Sequence, residues 1–166
     1  GCIGVASDAL SELVVHGAPE VSLVLRDAVS CENEAPFILS GGSPSGGTYS
    51  GTGIVTSPTF TPAISGIGEF DLTYTLTDAN GCTNSATSKL TVRDLPETTF
   101  NLGSNDEVCL SEPTLTLSGG TPAIVAPATG VYSGASVVGG EFTPGTAGVG
   151  SHTITFTYTD VYGCVN

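Results

Sequence analysis

The sequence predicts an all-β protein assembled from repeated modules, and three observations predict it. Glycine (23 residues), proline (10), serine and threonine are abundant while charged residues make up only 11% of the chain, a balance that disfavours helices and suits short strands joined by tight turns. Apolar and polar residues alternate with a period of two over the longest patterned segments. Those segments also recur: TFTPAISGIGEFDLTYTLTDANGC, ending at Cys82, aligns without gaps with EFTPGTAGVGSHTITFTYTDVYGC, ending at Cys164.

The repeat sets the domain organisation. Phe60, Pro62, Gly68 and Asp78 recur 82 positions on as Phe142, Pro144, Gly150 and Asp160. Upstream, CENEAPFILSGGSP from Cys31 recurs 78 positions on as CLSEPTLTLSGGTP from Cys109, and the second copy lengthens between these blocks at AIVAPATG, as a surface loop does. A partial third copy opens the chain, with Ala9, Ser11, Leu13, Val15 and Pro19 falling on Ala86, Ser88, Leu90, Val92 and Pro96. The unit is thus roughly 80 residues long, too long for a solenoid turn and suited to a small sandwich. Residues 1–18 read as the final strand of a preceding module, 19–95 as one module and 96–166 as a second that lacks its final strand. The connectors GAPE and DLPET contain proline and are short, so neighbouring modules are expected to form a semi-rigid string.

Within a module the strongest strand is EFDLTYTLTD, which sends Phe70, Leu72, Tyr74 and Leu76 to one face and Glu69, Asp71, Thr73 and Thr75 to the other. SHTITFTYTD repeats it with His152, Ile154, Phe156 and Tyr158 inward. A turn follows each, DANG or DVYG, and SATSKLTV then returns with Ala86, Ser88, Leu90 and Val92 on one face, predicting a C-terminal hairpin. Shorter strands are expected at 21–26, 36–40, 48–51 and 59–62, giving about seven per module. That count predicts tandem immunoglobulin-like β-sandwiches.

Five cysteines complete the pattern. The repeat divides them as Cys31 with Cys82 and Cys109 with Cys164, one disulfide per module, and leaves Cys2 to pair with a residue outside the chain. Each bridge would close a loop of about 50 residues and stabilise it by roughly 4 kcal/mol in the chain-entropy model. Such bridges persist in an oxidising exterior, so an extracellular location is expected.

Charge removes several classes of function. Sixteen acidic residues face three basic ones, Arg26, Lys89 and Arg93, for a net charge of −13. Nucleic acid and anionic membrane surfaces are therefore unsuitable partners, and no run of 18 apolar residues exists to insert into a bilayer. Zincin, nucleophile-elbow and phosphate-loop motifs are missing from the sequence, so an enzyme is not expected and no cofactor is implied. His152 replaces Phe70 on an inward face, and His16 stands near the first connector without a recurring partner. Glu69 and Asp71 read as solubilising charge on an exposed strand face. The weak metal candidate is calcium at the turns carrying Asp78, Asn80 and Asp160, against which Tyr162 replaces Asn80 in the second copy and a recurring Asp commonly caps its own turn.

LSGGSPSGGTYSG, TFTP, the Gly-x-Gly before the long strand, and LTYTLTDANGC followed by T-x-S-A-T together resemble the immunoglobulin-like and PKD-like repeats of large Bacteroidetes surface proteins, including gliding-motility adhesins exported by type IX secretion. The resemblance spans both modules. It implies a cell-surface location and a stalk, filament or adhesive role, with neighbouring modules as partners and surface glycans or other cell-surface proteins as candidates at the tip. It carries over no catalytic residues. The alternatives are a carbohydrate- or ligand-binding module, or a fibre subunit in which an orphan strand fills the open edge of another copy.

Overall fold

The computed structural model describes residues 13–26, 28–103 and 106–166. Most of the strand proposed over 1–18, and Cys2 with it, lies outside the described residues. In the first repeat unit the chain forms β1 (Ser22–Leu23), β2 (Val29–Cys31), β3 (Phe37–Ile38), β4 (Gly42–Ser43), β5 (Thr48–Ser50), β6 (Ile54–Thr56), β7 (Thr59–Phe60), the helical turn α1 (Pro62–Ser65), β8 (Gly68–Thr77) and β9 (Thr83–Arg93). In the second it forms β10 (Thr99–Phe100), β11 (Leu115–Thr116), β12 (Gly120–Thr121), β13 (Thr129–Gly134), β14 (Val137–Val138), β15 (Glu141–Phe142), the helical turn α2 (Pro144–Ala147) and β16 (Ile154–Thr159). The fold is all-β apart from two four-residue helical turns, and no described helix is long and apolar enough to cross a membrane. Sequence periodicity missed those turns because one turn is too short to show a period; each starts on a proline, which suits a first helical position.

Among the described strands, none pairs across the two repeat units. In the first unit β2, β9, β8 and β5 form one sheet in that order, β3, β7 and β6 a second, and β1 with β4 a third. The second unit repeats this arrangement in part: β13 pairs with β16 as β5 does with β8, β11–β15–β14 matches β3–β7–β6, and β10–β12 matches β1–β4. Counterparts of β2 and β9 do not occur among its described residues. Only the start of the hairpin is present, where Asn166 exchanges backbone hydrogen bonds with Tyr158 and Val165 bridges Thr159. β16 begins at Ile154, whereas β8 begins at Gly68, the counterpart of Gly150.

The long hairpin has the register that alternation predicts. Phe70 faces Leu90, Leu72 faces Ser88 and Tyr74 faces Ala86, so the inward residues of both strands share one face. Leu72, Tyr74, Leu90 and Val92 join Leu23, Leu25, Leu39 and Phe60 in one buried cluster, to which all three sheets contribute. The corresponding cluster of the second unit is smaller, Ala128, Phe156 and Tyr158, with Phe100 and Tyr132 packed against it. On the outer face Lys89 forms an exposed ion pair with Glu69 at 3.0 Å; the hydrogen bond and charge of Glu69 raise the Lys89 pKa above its ordinary value.

A recurring aromatic and glycine contact anchors each unit. The Tyr74 hydroxyl donates to Pro44 O (2.6 Å) and accepts from Gly47 N (2.7 Å), so a buried polar group is satisfied at both ends. Tyr49, packed at a tilt against Tyr74 with ring centroids 4.9 Å apart, accepts from Gly42 N; Tyr132, 4.9 Å from Phe156, accepts from Gly120 N in the same way. A Cβ on Gly42 would lie 2.6 Å from the Tyr74 ring, and one on Gly120 would lie 2.7 Å from Phe156. The repeated Ser-Gly-Gly therefore leaves room for an aromatic ring, in addition to making a turn.

Gly42→Ala should overpack this contact and destabilise the first unit by about 1–3 kcal/mol in denaturant unfolding. Gly17→Ala, whose Cβ would meet nothing within 4 Å, should stay within about 0.5 kcal/mol of the parent. Equal effects at the two positions would contradict the packing role.

Candidate functional site

The cysteines meet across the two repeat units. β2 pairs in parallel with the end of β9, placing Cys31 opposite Arg93, while Cys82 stands just before Thr83 at the opposite end of the same 11-residue strand. A strand of that length spans roughly 33 Å, far beyond the separation of about 7 Å that a disulfide tolerates between Cα atoms. This corrects the expected pairing. Cys31 is bonded to Cys164, 133 residues away with Cα atoms 5.5 Å apart, and Cys82 and Cys109 are free thiols. The expected bridges Cys31–Cys82 and Cys109–Cys164 are both absent: the first unit holds its two cysteines at opposite ends of β9, and Cys164 is already bonded to Cys31.

Local turn chemistry delivers Cys164 to this place. Asp160 Oδ1 accepts hydrogen bonds from Tyr162 N and Cys164 N, both at 2.8 Å, and Asp160 N donates to Cys164 O. Gly163 supplies the positive φ of 90° that closes the loop. The first copy is built identically, with Asp78 Oδ1 accepting from Asn80 N and Cys82 N at 2.9 Å. The calcium candidates Asp78, Asn80 and Asp160 thus belong to two self-capped turns. Among the described residues no group of three or more His, Cys, Asp or Glu side chains is placed to hold a metal.

Around the disulfide the junction has further contacts that the sequence did not reveal. The Arg93 guanidinium lies 3.5 Å from the centroid of the Tyr162 ring, a cation–π contact worth about 1 kcal/mol where partly exposed. Arg93 Nε is buried and makes no hydrogen bond, so the aromatic face is the principal partner of that charge. Asn166 Nδ2 donates to Pro96 O at 2.9 Å, tying the second unit's turn to the connector that precedes it. Cys164 is fully buried. Tyr162, the residue that broke the calcium pattern, is explained by its contact with Arg93.

The same connector contact recurs one repeat earlier. Asn84 Nδ2 donates to Pro19 O at 2.9 Å, and Cys82 Sγ lies 3.8 Å from His16 O. Asn84 and Asn166, Pro19 and Pro96, and His16 and Arg93 are repeat counterparts. His16 thus marks a second junction position. His152 Nε2 lies 3.0 Å from Gly148 O and its ring packs 5.7 Å from Phe142, a packing role in the second unit. Glu69 is paired to Lys89 on the exposed face, and Asp71 stands opposite Lys89 in the strand register.

Comparison with family models, curated proteins and solved structures yields no match to this chain.

Peptide mapping of the oxidised protein under non-reducing conditions should recover a peptide pair joined through Cys31 and Cys164, with Cys82 and Cys109 alkylated as free thiols. Recovery of 31–82 and 109–164 pairs would contradict the junction.

Proposed function

We propose that this chain is a load-bearing segment of an extracellular array, a stalk or filament of immunoglobulin-like sandwiches that spaces an adhesive region from a cell surface. The observation that carries the reading is the cross-link between successive repeat units: a disulfide between Cys31 and Cys164 fixes one unit to the next, where a bridge within each unit would have stabilised it alone. The short connector, the Asn166 to Pro96 hydrogen bond and the Arg93–Tyr162 contact support the same role, because each restrains the angle between units. A persistent disulfide also suits an oxidising compartment. The resemblance to Bacteroidetes gliding-motility adhesins agrees with a place on the cell surface, with neighbouring modules as the immediate partners. The role is mechanical, and no step of catalysis is assigned to any residue.

Single-molecule extension tests this reading. Pulled from its termini, the oxidised chain should withhold the segment between Cys31 and Cys164 from the applied force. Reduction should then release the 133-residue separation, adding roughly 450 Å of contour length. Identical contour lengths before and after reduction would contradict a load path through the junction. On a glycan array the same protein should show no saturable binding; a saturable signal would favour a carbohydrate-binding module instead.

A further inference from the structure

Two cysteines and one apolar segment remain unused in this structure, and the internal repeat shows what each matches. Cys109 is the counterpart of Cys31, and Cys82 is the counterpart of Cys164; Cys31 lies at the foot of its unit, and Cys82 and Cys164 each close a hairpin turn. Leu13 and Val15 are 87% and 85% exposed, although their counterparts Leu90 and Val92 are 0% and 1% exposed in the core of the first unit. Conversely, the second unit, which has no described counterpart of β9, carries a groove of about 840 Å³ lined by Cys109, Leu115, Phe142, His152 and Ile154. Phe142 and His152 are the counterparts of Phe60 and Phe70, and in the first unit Phe60 shares the core cluster with Leu90 while Phe70 pairs with it across the sheet.

We propose that Cys82 and Cys109 are complementary halves of one further junction of the Cys31–Cys164 kind, formed with a second copy of this repeat. In that junction the Leu13–His16 segment of one copy lies along the groove of the other copy's second unit. Leu13 and Val15 take the places that Leu90 and Val92 take in the first unit, and the Cys82 turn of the first copy meets Cys109 of the other. Two features of this chain already point there. Cys82 Sγ stands 3.8 Å from the carbonyl of His16, the counterpart of Arg93, and Arg93 is the residue paired with Cys31 in the existing junction. The connector hydrogen bond that accompanies the existing disulfide is also in place, from Asn84 to Pro19.

Bond formation requires a disulfide oxidant such as oxidised glutathione. The Cys109 thiolate attacks one glutathione sulfur and expels a glutathione thiolate; the Cys82 thiolate attacks the mixed disulfide and expels the second. Two protons leave the cysteines, and two electrons reside on the two glutathione molecules. The resulting ladder would run through every unit of an array, deepening the load-bearing role proposed above. It rests on the tandem-array reading, while its test depends on neither adhesion nor force.

The test is a chain in which Asn166 is followed directly by Asp8 of a second copy, the counterpart of Ser85 after Asn84, which keeps the repeat in register, refolded with reduced and oxidised glutathione. Peptide mapping should recover Cys109 of the first copy joined to Cys82 of the second, alongside a Cys31–Cys164 pair in each copy. Leu13→Ala in the second copy should lower the thermal midpoint by more than about 5 °C, whereas the same change in the single 166-residue chain should leave it unmoved. Free thiols at these two positions, a Cys109–Cys164 pair, or equal thermal shifts in the two chains would overturn the proposal. If the mapped pair forms but the same chain binds a glycan array saturably, the junction stands and the stalk role falls.

Discussion

The length of one strand decides how this protein is joined together. β9 runs for 11 residues in register with β8, carrying the chain from the hairpin turn to the foot of the unit, where β2 lies alongside its last three residues. One cysteine position sits at each end. Because the ribbon holds them roughly 33 Å apart, the first unit cannot close a disulfide on itself, and Cys31 bonds to Cys164 of the other unit. The bond between Cys31 and Cys164 follows from that geometry.

The two units are unequal, and the difference shows what the return strand contributes. In the first, Leu90 and Val92 are fully covered, and eight residues drawn from three sheets form the buried cluster. In the second, the cluster shrinks to three, and Leu115, Phe142 and Ile154 line an open groove. The aromatic and glycine contact survives in both, since it involves only β5 with β8, or β13 with β16, and the Ser-Gly-Gly turn. A local motif sustains part of each unit. The remaining apolar burial depends on a strand that arrives late in the repeat.

Much of this architecture is legible in the residues. Alternation in EFDLTYTLTD and SATSKLTV specifies both long strands, their inward faces and the hairpin between them, because period two is unambiguous over ten residues. The offset between copies locates the connectors at Pro19 and Pro96. The disulfide partner was hidden for a definite reason: two cysteine positions per repeat are equally compatible with bonding inside a copy or between adjacent copies. Only the direction of β2 separates those choices, and Val29-Ser30-Cys31 is too short to alternate, while its parallel pairing with β9 is a non-local contact. Glycines read as turn formers also proved to be space left for a ring, which a sequence without its fold cannot display. Tyr162 was visible as a departure from the first copy, but its partner Arg93 lies in the other unit.

The most direct test of a fixed junction is the relative orientation of the two units in solution, read from residual dipolar couplings of backbone amides in the oxidised and reduced protein. With Cys31 and Cys164 bonded, a single alignment tensor should fit the couplings of both units. After reduction the two units should require tensors of different magnitude. Two tensors already needed in the oxidised state would contradict a junction that holds one unit against the next.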